Sequence, residues 1–246
     1  MNSQKYDKSY FETKEKTKSL PYTWEAKRYH LEIVAESLKY FRPKMVLDIG
    51  CAKGFLVYLF LEKNIPAYGI DISKYAIENS FPKIRNRLFV ADIEKDKIPF
   101  KDNFFDLIVG LELLEHLNSF DNLMKECFRV LKDGGYLFFT TPQPGSFDAK
   151  GDITHVNVCD YKFWEDLFLK SGFKKLDNKE KKLFLKEFIK NYKKFISFTT
   201  SDRKLIKFLY KFGAFGRFIR KELQVYINFF SPFKATQILI FKKCQN

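Results

Sequence analysis

The chain has 246 residues and a net charge of +14, from 44 Lys/Arg against 30 Asp/Glu, and 46% of its residues are hydrophobic. That length suits one large α/β domain, or one domain with an insertion, and the apolar fraction is enough for a substantial core. No stretch reaches 18 consecutive apolar residues, and the first residues, M-N-S-Q-K-Y-D-K-S-Y, lack the apolar centre of a secretory signal, so neither a spanning helix nor an export signal is expected and the expected compartment is the cytoplasm. Cys51, Cys127, Cys159 and Cys244 show no C-x-x-C spacing and read as reduced thiols.

In chain order, residues 1–20 are polar and lysine-rich and read as a loosely packed arm. Leu31, Val34, Ala35 and Leu38 recur at helical spacing and predict a helix from Trp24 to Phe41. Met45, Val46 and Leu47 form a short apolar run ending in Asp48, followed by Gly50, Gly54 and an apolar helical segment from Phe55 to Leu61. A second strand, Ala67 to Ile70, ends in Asp71, and a third, Leu88 to Val90, runs into Ala91-Asp92-Ile93. A fourth, F-F-D-L-I-V-G at 104–110, leads into L-E-L-L-E-H-L. A helix over 121–131 stops at Asp133-Gly134-Gly135, and a fifth strand over 136–141 is ended by Pro142 and Pro144. A helix from Asp160 to Ser171 stops at Gly172, a sixth strand starts at Phe173, and Thr236 to Phe241 reads as the last strand. Strands alternating with helices predict a parallel sheet with right-handed crossovers.

Between the last two strands the composition changes. From Lys179 to Glu222 there are 14 Lys/Arg against 4 Asp/Glu, a net +10, with ten Phe and Tyr. Phe184, Phe188, Tyr192 and Phe195, and again Leu205, Phe208, Phe212 and Phe215, recur at helical spacing and predict two amphipathic helices. The expected organisation is an arm (1–20), a core domain (21–178 and 231–246) and a basic helical insertion (179–230) that caps the site. Basic charge interleaved with aromatics suits an anionic membrane surface or another acidic partner, or a solvated lysine face over an aromatic core.

The most informative stretch is V-L-D-I-G-C-A-K-G at 46–54. A strand feeding a glycine turn feeding a helix is where open α/β sheets bind ligands, outside the carboxyl ends of their strands. The spacing is neither the G-x-G-x-x-G of dinucleotide folds nor a P-loop. Asp71, at the tip of the second strand, is placed to accept hydrogen bonds from two ribose hydroxyls. Taken with D-I at 92–93, F-D-L-I at 105–108 and L-K-D-G-G at 131–135, this ordered set resembles the class I S-adenosylmethionine (SAM) dependent methyltransferases over residues 40–175. The resemblance implies a Rossmann-like seven-stranded sheet, mostly parallel, whose last strand inserts antiparallel between the fifth and sixth. It also implies SAM-binding roles. Asp48 would orient the glycine loop and the methionine amino end, and Gly50, Cys51 and Gly54 would bring the backbone close. Asp71 and Ile72 would hold the ribose, Asp92 and Ile93 would read the adenine, and Gly110 would border the pocket. Ala52 departs from the glycine usual in such loops, and alanine disfavours a positive φ. Arg28 could pair with the SAM carboxylate or make a surface salt bridge.

Glu112-x-x-Glu115-His116 follows the fourth strand, and His155 follows the fifth. On a helix, positions i and i+3 share a face, so Glu112 and Glu115 could approach one divalent ion, magnesium or manganese, with His116 and His155 beside it. The string resembles the metal-binding motif of ubiquinone-pathway O-methyltransferases and small-RNA 2′-O-methyltransferases. The alternatives are His116 or His155 as a metal-free general base, or simple packing. Pro142-Gln143-Pro144 does not match the N-P-P-Y signature of amino-methylating nucleic-acid enzymes, and residues 155–171 resemble methyltransferases of quinone precursors and surface glycans. The expected function is SAM-dependent O-methylation of a small-molecule, lipid-linked or sugar acceptor. The rivals are an RNA methyltransferase, motivated by the basic insertion, and a non-catalytic SAM-binding or membrane-surface scaffold.

Overall fold

The computed structural model describes residues 3–13, 21–200 and 236–244. Seven strands form one sheet in the order β3-β2-β1-β4-β5-β7-β6. Their ranges are β1 Val46–Ile49, β2 Ala67–Asp71, β3 Leu88–Val90, β4 Phe105–Leu111, β5 Leu131–Pro142, β6 Phe173–Lys175 and β7 Thr236–Lys243. The β1–β2, β1–β4, β2–β3 and β4–β5 pairs are parallel, whereas β7 runs antiparallel to both β5 and β6. The parallel strands therefore deliver Asp48, Asp71, Asp92 and the exits of β4 and β5 to one edge.

Helices cover both faces because the central strands are apolar on both sides; every residue of β1 is buried. On one face, α2 (Trp24–Leu38) and α3 (Phe55–Glu62) pack Leu31, Val34, Leu38, Phe55 and Phe60 against Val46, Leu107 and Phe138. On the other, α5 (Asp121–Val130) and α7 (Tyr161–Lys170) bury Leu123, Cys127, Trp164 and Phe168 against Leu47, Ile108 and Phe139. The Phe139 ring also accounts for Gly110, since a Cβ there would lie 2.3 Å from Cε1 of the ring. Packing across the sheet is thus enough to require a glycine at 110.

Two expectations change. The arm is not loose over residues 3–13. A short helix, α1 (Lys8–Glu12), is capped by Asp7, whose Oδ1 accepts from the amides of Ser9 and Tyr10, and it buries Phe11. Aromatic anchors outweigh the polar composition of the segment. The insertion, in turn, begins with α8 (Asn178–Thr200), whose Phe184 and Phe188 join the α2 face, with Phe184 stacked on Phe41 at 5.0 Å. Asn191 Nδ2 donates to Ser37 Oγ on α2. Over 178–191 this helix completes a core layer and is not a lid, because its Phe side chains meet an aromatic surface on Tyr40, Phe41 and Phe138. The second helix expected around Leu205, Phe208, Phe212 and Phe215, and the rest of the insertion to 230, lie outside the described residues, as do residues 1–2 and 14–20 of the arm.

Phe184→Ala is expected to destabilise the fold by about 3–5 kcal/mol, the usual cost of emptying a buried aromatic site. Its exposed neighbour in Leu183→Ala should shift stability by no more than about 0.5 kcal/mol. Chemical denaturation of the two variants checks this; equal small effects would mean that α8 is not a core helix.

Candidate functional site

The cofactor side starts at the turn after β1. Gly50 and Gly54 have φ of 74° and 72°, a conformation that side chains disfavour. The turn is tied to β2 because the amides of Gly50 and Cys51 both donate to the Ile70 carbonyl, at 2.8 and 3.1 Å. Asp71 fixes it further: the Ala52 amide donates to Oδ2 at 2.7 Å and the Ser73 amide to Oδ1 at 2.8 Å. Each carboxylate oxygen keeps a second acceptor site. Burial drives the Asp71 pKa up to about 6, against the pull of those two amides. Asp48 is buried beside it and is raised well above the usual carboxylate range, by burial and then by Asp71. Two adjacent buried acids favour a cationic ligand.

Ala52 adopts the left-handed conformation its position demands, with φ of 50°. An L-residue is strained there by about 1 kcal/mol, and its methyl finds compensation in a cluster with Tyr6, Phe11 and Ala76. α4 (Lys74–Glu78) contributes Ala76, and Ser73 at its start donates through Oγ to the Tyr6 carbonyl at 2.5 Å. The arm therefore closes over the glycine turn. Glu12 strengthens the closure by pairing with Lys53 at 3.6 Å and accepting from the Tyr75 hydroxyl. A cleft of about 600 Å³ opens alongside, lined by Tyr6 and Asp7 from the arm, Ile72 and Tyr75 after β2, and Asp92 after β3. Asp92 accepts from the Glu94 amide at 3.0 Å and pairs with Lys95 at 3.5 Å.

Other expected cofactor residues sit differently. The Cys51 and Ile93 side chains are core, one on each face of the sheet. Arg28 keeps to its own helix, with Glu32 at 3.9 Å and the rings of Trp24 and Tyr29 beside it. A residue beside Asp48 that the sequence reading did not select is Tyr22. It stacks on Phe55 at 5.3 Å, and its pKa is raised well above the ordinary tyrosine value, first by burial and then by Asp48 and Cys51.

The acceptor side forms at the exits of β4 and β5. Glu112 is not on a helix: it leaves β4 with φ of 49°, and its amide donates to the Thr140 carbonyl on β5 at 3.0 Å. Only a single 3-10 turn, Leu114–His116, follows. The i, i+3 argument thus fails in its geometry, because strand pairing holds Glu112 up to the bend. Strained non-glycine backbone of this kind collects at functional sites. Glu112 still acts on Glu115, whose pKa is raised well above the usual range by burial and then by Glu112. Glu115 is 0% exposed, and neither of its carboxylate oxygens has a hydrogen-bond partner.

The loop after β5 brings His155 to it. The amides of Val156 and Asn157 both donate to the Glu115 carbonyl, at 2.8 and 3.0 Å. His155 Nε2 consequently lies 4.0 Å from Glu115 Oε1, and the rings of His116 and His155 are 4.8 Å apart. One ligand atom from each of Glu115, His116 and His155 lies within 4.8 Å of the others. His155 Nδ1 faces the Ala149 carbonyl at 3.2 Å, so in the neutral ring that nitrogen carries the proton and Nε2 the lone pair. Burial, then His155, pushes His116 down to about 4, leaving a neutral imidazole. Tyr6 and Tyr10 of the arm set ring edges on His116, at 5.8 and 6.4 Å.

Residues 47–139 match a family described as a methyltransferase domain. That span holds the glycine turn, all three strand-end acids and the Glu115-His116 turn. Over those residues the chain is similar to a methyltransferase domain, in keeping with the resemblance drawn from its strand-end motifs. A ubiquinone biosynthesis O-methyltransferase of Pseudomonas fluorescens (strain SBW25) is 30% identical over 105 residues, covering 40% of this chain and 44% of that protein. Another, from Paracidovorax citrulli, is 29% identical over 106 residues, covering 40% and 43%. The chain thus spans less than half the length of the curated relatives it matches. Among solved structures, a SAM-dependent methyltransferase from Archaeoglobus fulgidus superposes with a TM-score of 0.51 at 24% identity, covering 60% of this chain and 72% of that one, a likeness of fold.

The raised Asp71 gives a pH dependence with two opposite signs. If Asp71 accepts from the ribose hydroxyls as the resemblance implies, affinity for the demethylated cofactor, S-adenosylhomocysteine, should fall as pH drops through about 6. The loss should be about tenfold between pH 7 and pH 5, and Asp71→Asn should be weak and flat. In the unliganded protein the folded carboxyl holds its proton more tightly than the unfolded one. Its contribution to stability is therefore present at low pH and declines as pH rises from about 4 to about 6. Calorimetric titration across this range tests the first sign, and denaturation of Asp71→Asn against the parent tests the second.

Proposed function

We propose that the protein transfers a methyl group from SAM to a hydroxyl of a small-molecule, lipid-linked or sugar acceptor, with a divalent cation held by Glu115, His116 and His155. Bound SAM supplies a methyl on a positively charged sulfur, which an oxygen nucleophile can displace in line. The chain's own contribution begins with grip. Asp71 accepts from the ribose, Asp48 faces the methionine amino end, and the closed arm keeps water out of the cleft. Position does the rest, since holding donor and acceptor in line removes most of the entropic barrier.

The acceptor hydroxyl must also lose its proton. The single observation that carries the cation is Glu115, a fully buried carboxylate with both oxygens unpartnered, a costly arrangement unless the charge is paired. One hard carboxylate with two imidazole nitrogens suits a borderline divalent ion such as manganese, with magnesium, which prefers oxygen ligands, the harder alternative. Such a cation, when bound, lowers the pKa of a coordinated hydroxyl. The activity of those relatives, O-methylation in ubiquinone biosynthesis, supports oxygen as the methylated atom. The net +10 of the segment from Lys179 to Glu222 supports a further proposal, attachment to an anionic membrane surface. Most of that segment lies outside the described residues. Among the described residues no helix is long and apolar enough to cross a membrane.

Methyl label from SAM should enter an O-linked product in lipid, glycan or small-molecule extracts. Label entering RNA alone would contradict the acceptor class. Chelator should abolish the transfer and added magnesium or manganese restore it; full activity in chelator removes the cation and leaves the imidazoles as bases. Glu115→Gln gives an independent check. Burial and Glu112 push the Glu115 carboxyl toward its neutral form, which glutamine imitates, so the variant should melt no earlier than the parent while losing manganese binding at least about tenfold.

A further inference from the structure

The loop after β5 holds more than His155. Asp152 and Thr154, two residues that the sequence reading did not select, stand directly behind His116. Thr154 Oγ1 lies 2.9 Å from His116 Nδ1 and 2.5 Å from Asp152 Oδ1. A hydroxyl has one proton to give, and a carboxylate accepts only. The other neighbours of Asp152 are donors too: the Thr154 amide reaches Oδ1 at 2.8 Å, and the Tyr10 hydroxyl reaches Oδ2 at 3.2 Å. The Thr154 proton is therefore committed to Asp152, and its oxygen is left as an acceptor facing the imidazole.

We propose that Asp152 and Thr154 are positioning residues that hold His116 as the Nδ1–H tautomer, so that its bare Nε2 joins that of His155 at the Glu115 carboxylate. The inference deepens the functional reading and rests on it for the role of His116, but the proton's place on the ring does not depend on methyl transfer. Two imidazoles are oriented by different means toward one point: His155 by a backbone carbonyl, and His116 by a relay through a hydroxyl to a half-buried acid. Outer partners of this kind fix which ring nitrogen is free to bind or to take a proton. The relay also reaches the arm. Tyr10 sits on the far oxygen of Asp152, so the segment that closes over the glycine turn touches the back of the acceptor site as well.

The test needs no cofactor, acceptor or metal. The chain has three histidines, so long-range 1H–15N spectra of histidine-labelled protein at pH 8 can be read for each ring, with His30→Gln assigning the third. In the parent, His116 and His155 should both be protonated at Nδ1 and bare at Nε2. Thr154→Ser should keep that pattern. Thr154→Val removes the acceptor, and the His116 proton should move to Nε2. Asp152→Ala leaves the hydroxyl in place but frees its proton to point at Nδ1, so it should move the His116 proton as well. Tyr10→Phe should leave it where it is. The His155 signal, which should stay constant, reports that each variant is folded. A parent protein with the His116 proton on Nε2, or a folded Thr154→Val or Asp152→Ala protein with the parent pattern, overturns the relay. Neither result bears on whether SAM binds or methyl is transferred, and a failure of methyl transfer would leave the spectra as predicted.

Discussion

The site is organised by acids that the fold gathers at one edge of the sheet, two of them buried (Asp48, Glu115) and two half-buried (Asp71, Asp152). Asp48 and Asp71 close the first two strands, Glu115 follows the fourth, and Asp152 follows the fifth. A buried carboxylate is tolerated only with donors or a positive partner, and the four are treated differently. Asp71 receives two backbone amides, one of them from the glycine turn, and so ties the cofactor loop to β2. Asp152 receives an amide and two hydroxyls. Asp48 has Asp71 nearby and is driven toward its neutral form. Glu115 is buried with neither carboxylate oxygen in a close hydrogen bond. The first two acids hold the site together; the last two are where the proposal puts positive charge, at the methionine end of the cofactor and at the acceptor.

The arm joins the two halves. Phe11 rests in the cluster with the Ala52 methyl, Tyr6 sets its edge on His116, and Tyr10 donates to Asp152. A glycine at position 52 would relieve the strained φ and leave that cluster short of one methyl. The alanine is thus consistent with an arm packed on the turn, a feature that the sequence presents only as a departure from the usual loop.

The strand ends were legible because buried parallel strands are short apolar runs, and a run that stops at Asp or Gly marks the edge where ligands bind. Asp48, Asp71 and Asp92 were found that way, and the antiparallel last strand came with the family resemblance. Other features were hidden by their cause. Gly110 is explained by a ring on the neighbouring strand, 29 residues away, which no local pattern records. Glu112 sits in a helix-like string, but pairing with Thr140 holds it to the strand and bends the chain there. Tyr6, Tyr10 and Phe11 lie among lysines and lack a clear helical period; their burial depends on loops from four strand ends. Phe184 and Phe188 were read correctly as one helix face, yet what that face meets is a tertiary fact. Asp152 and Thr154 had no motif to announce them, since a relay behind a histidine is defined only by distance.

The central claim is that one edge of the sheet holds two charges side by side, a sulfonium cofactor on Asp48 and Asp71 and a divalent cation on Glu115. Anomalous diffraction from crystals grown with S-adenosylhomocysteine and manganese measures both at once. The account predicts the ribose on Asp71 and a single manganese peak bonded to Glu115 and to Nε2 of His116 and His155. Nucleoside density away from Asp71, or a Glu115 without manganese beside an occupied cofactor cleft, would contradict it.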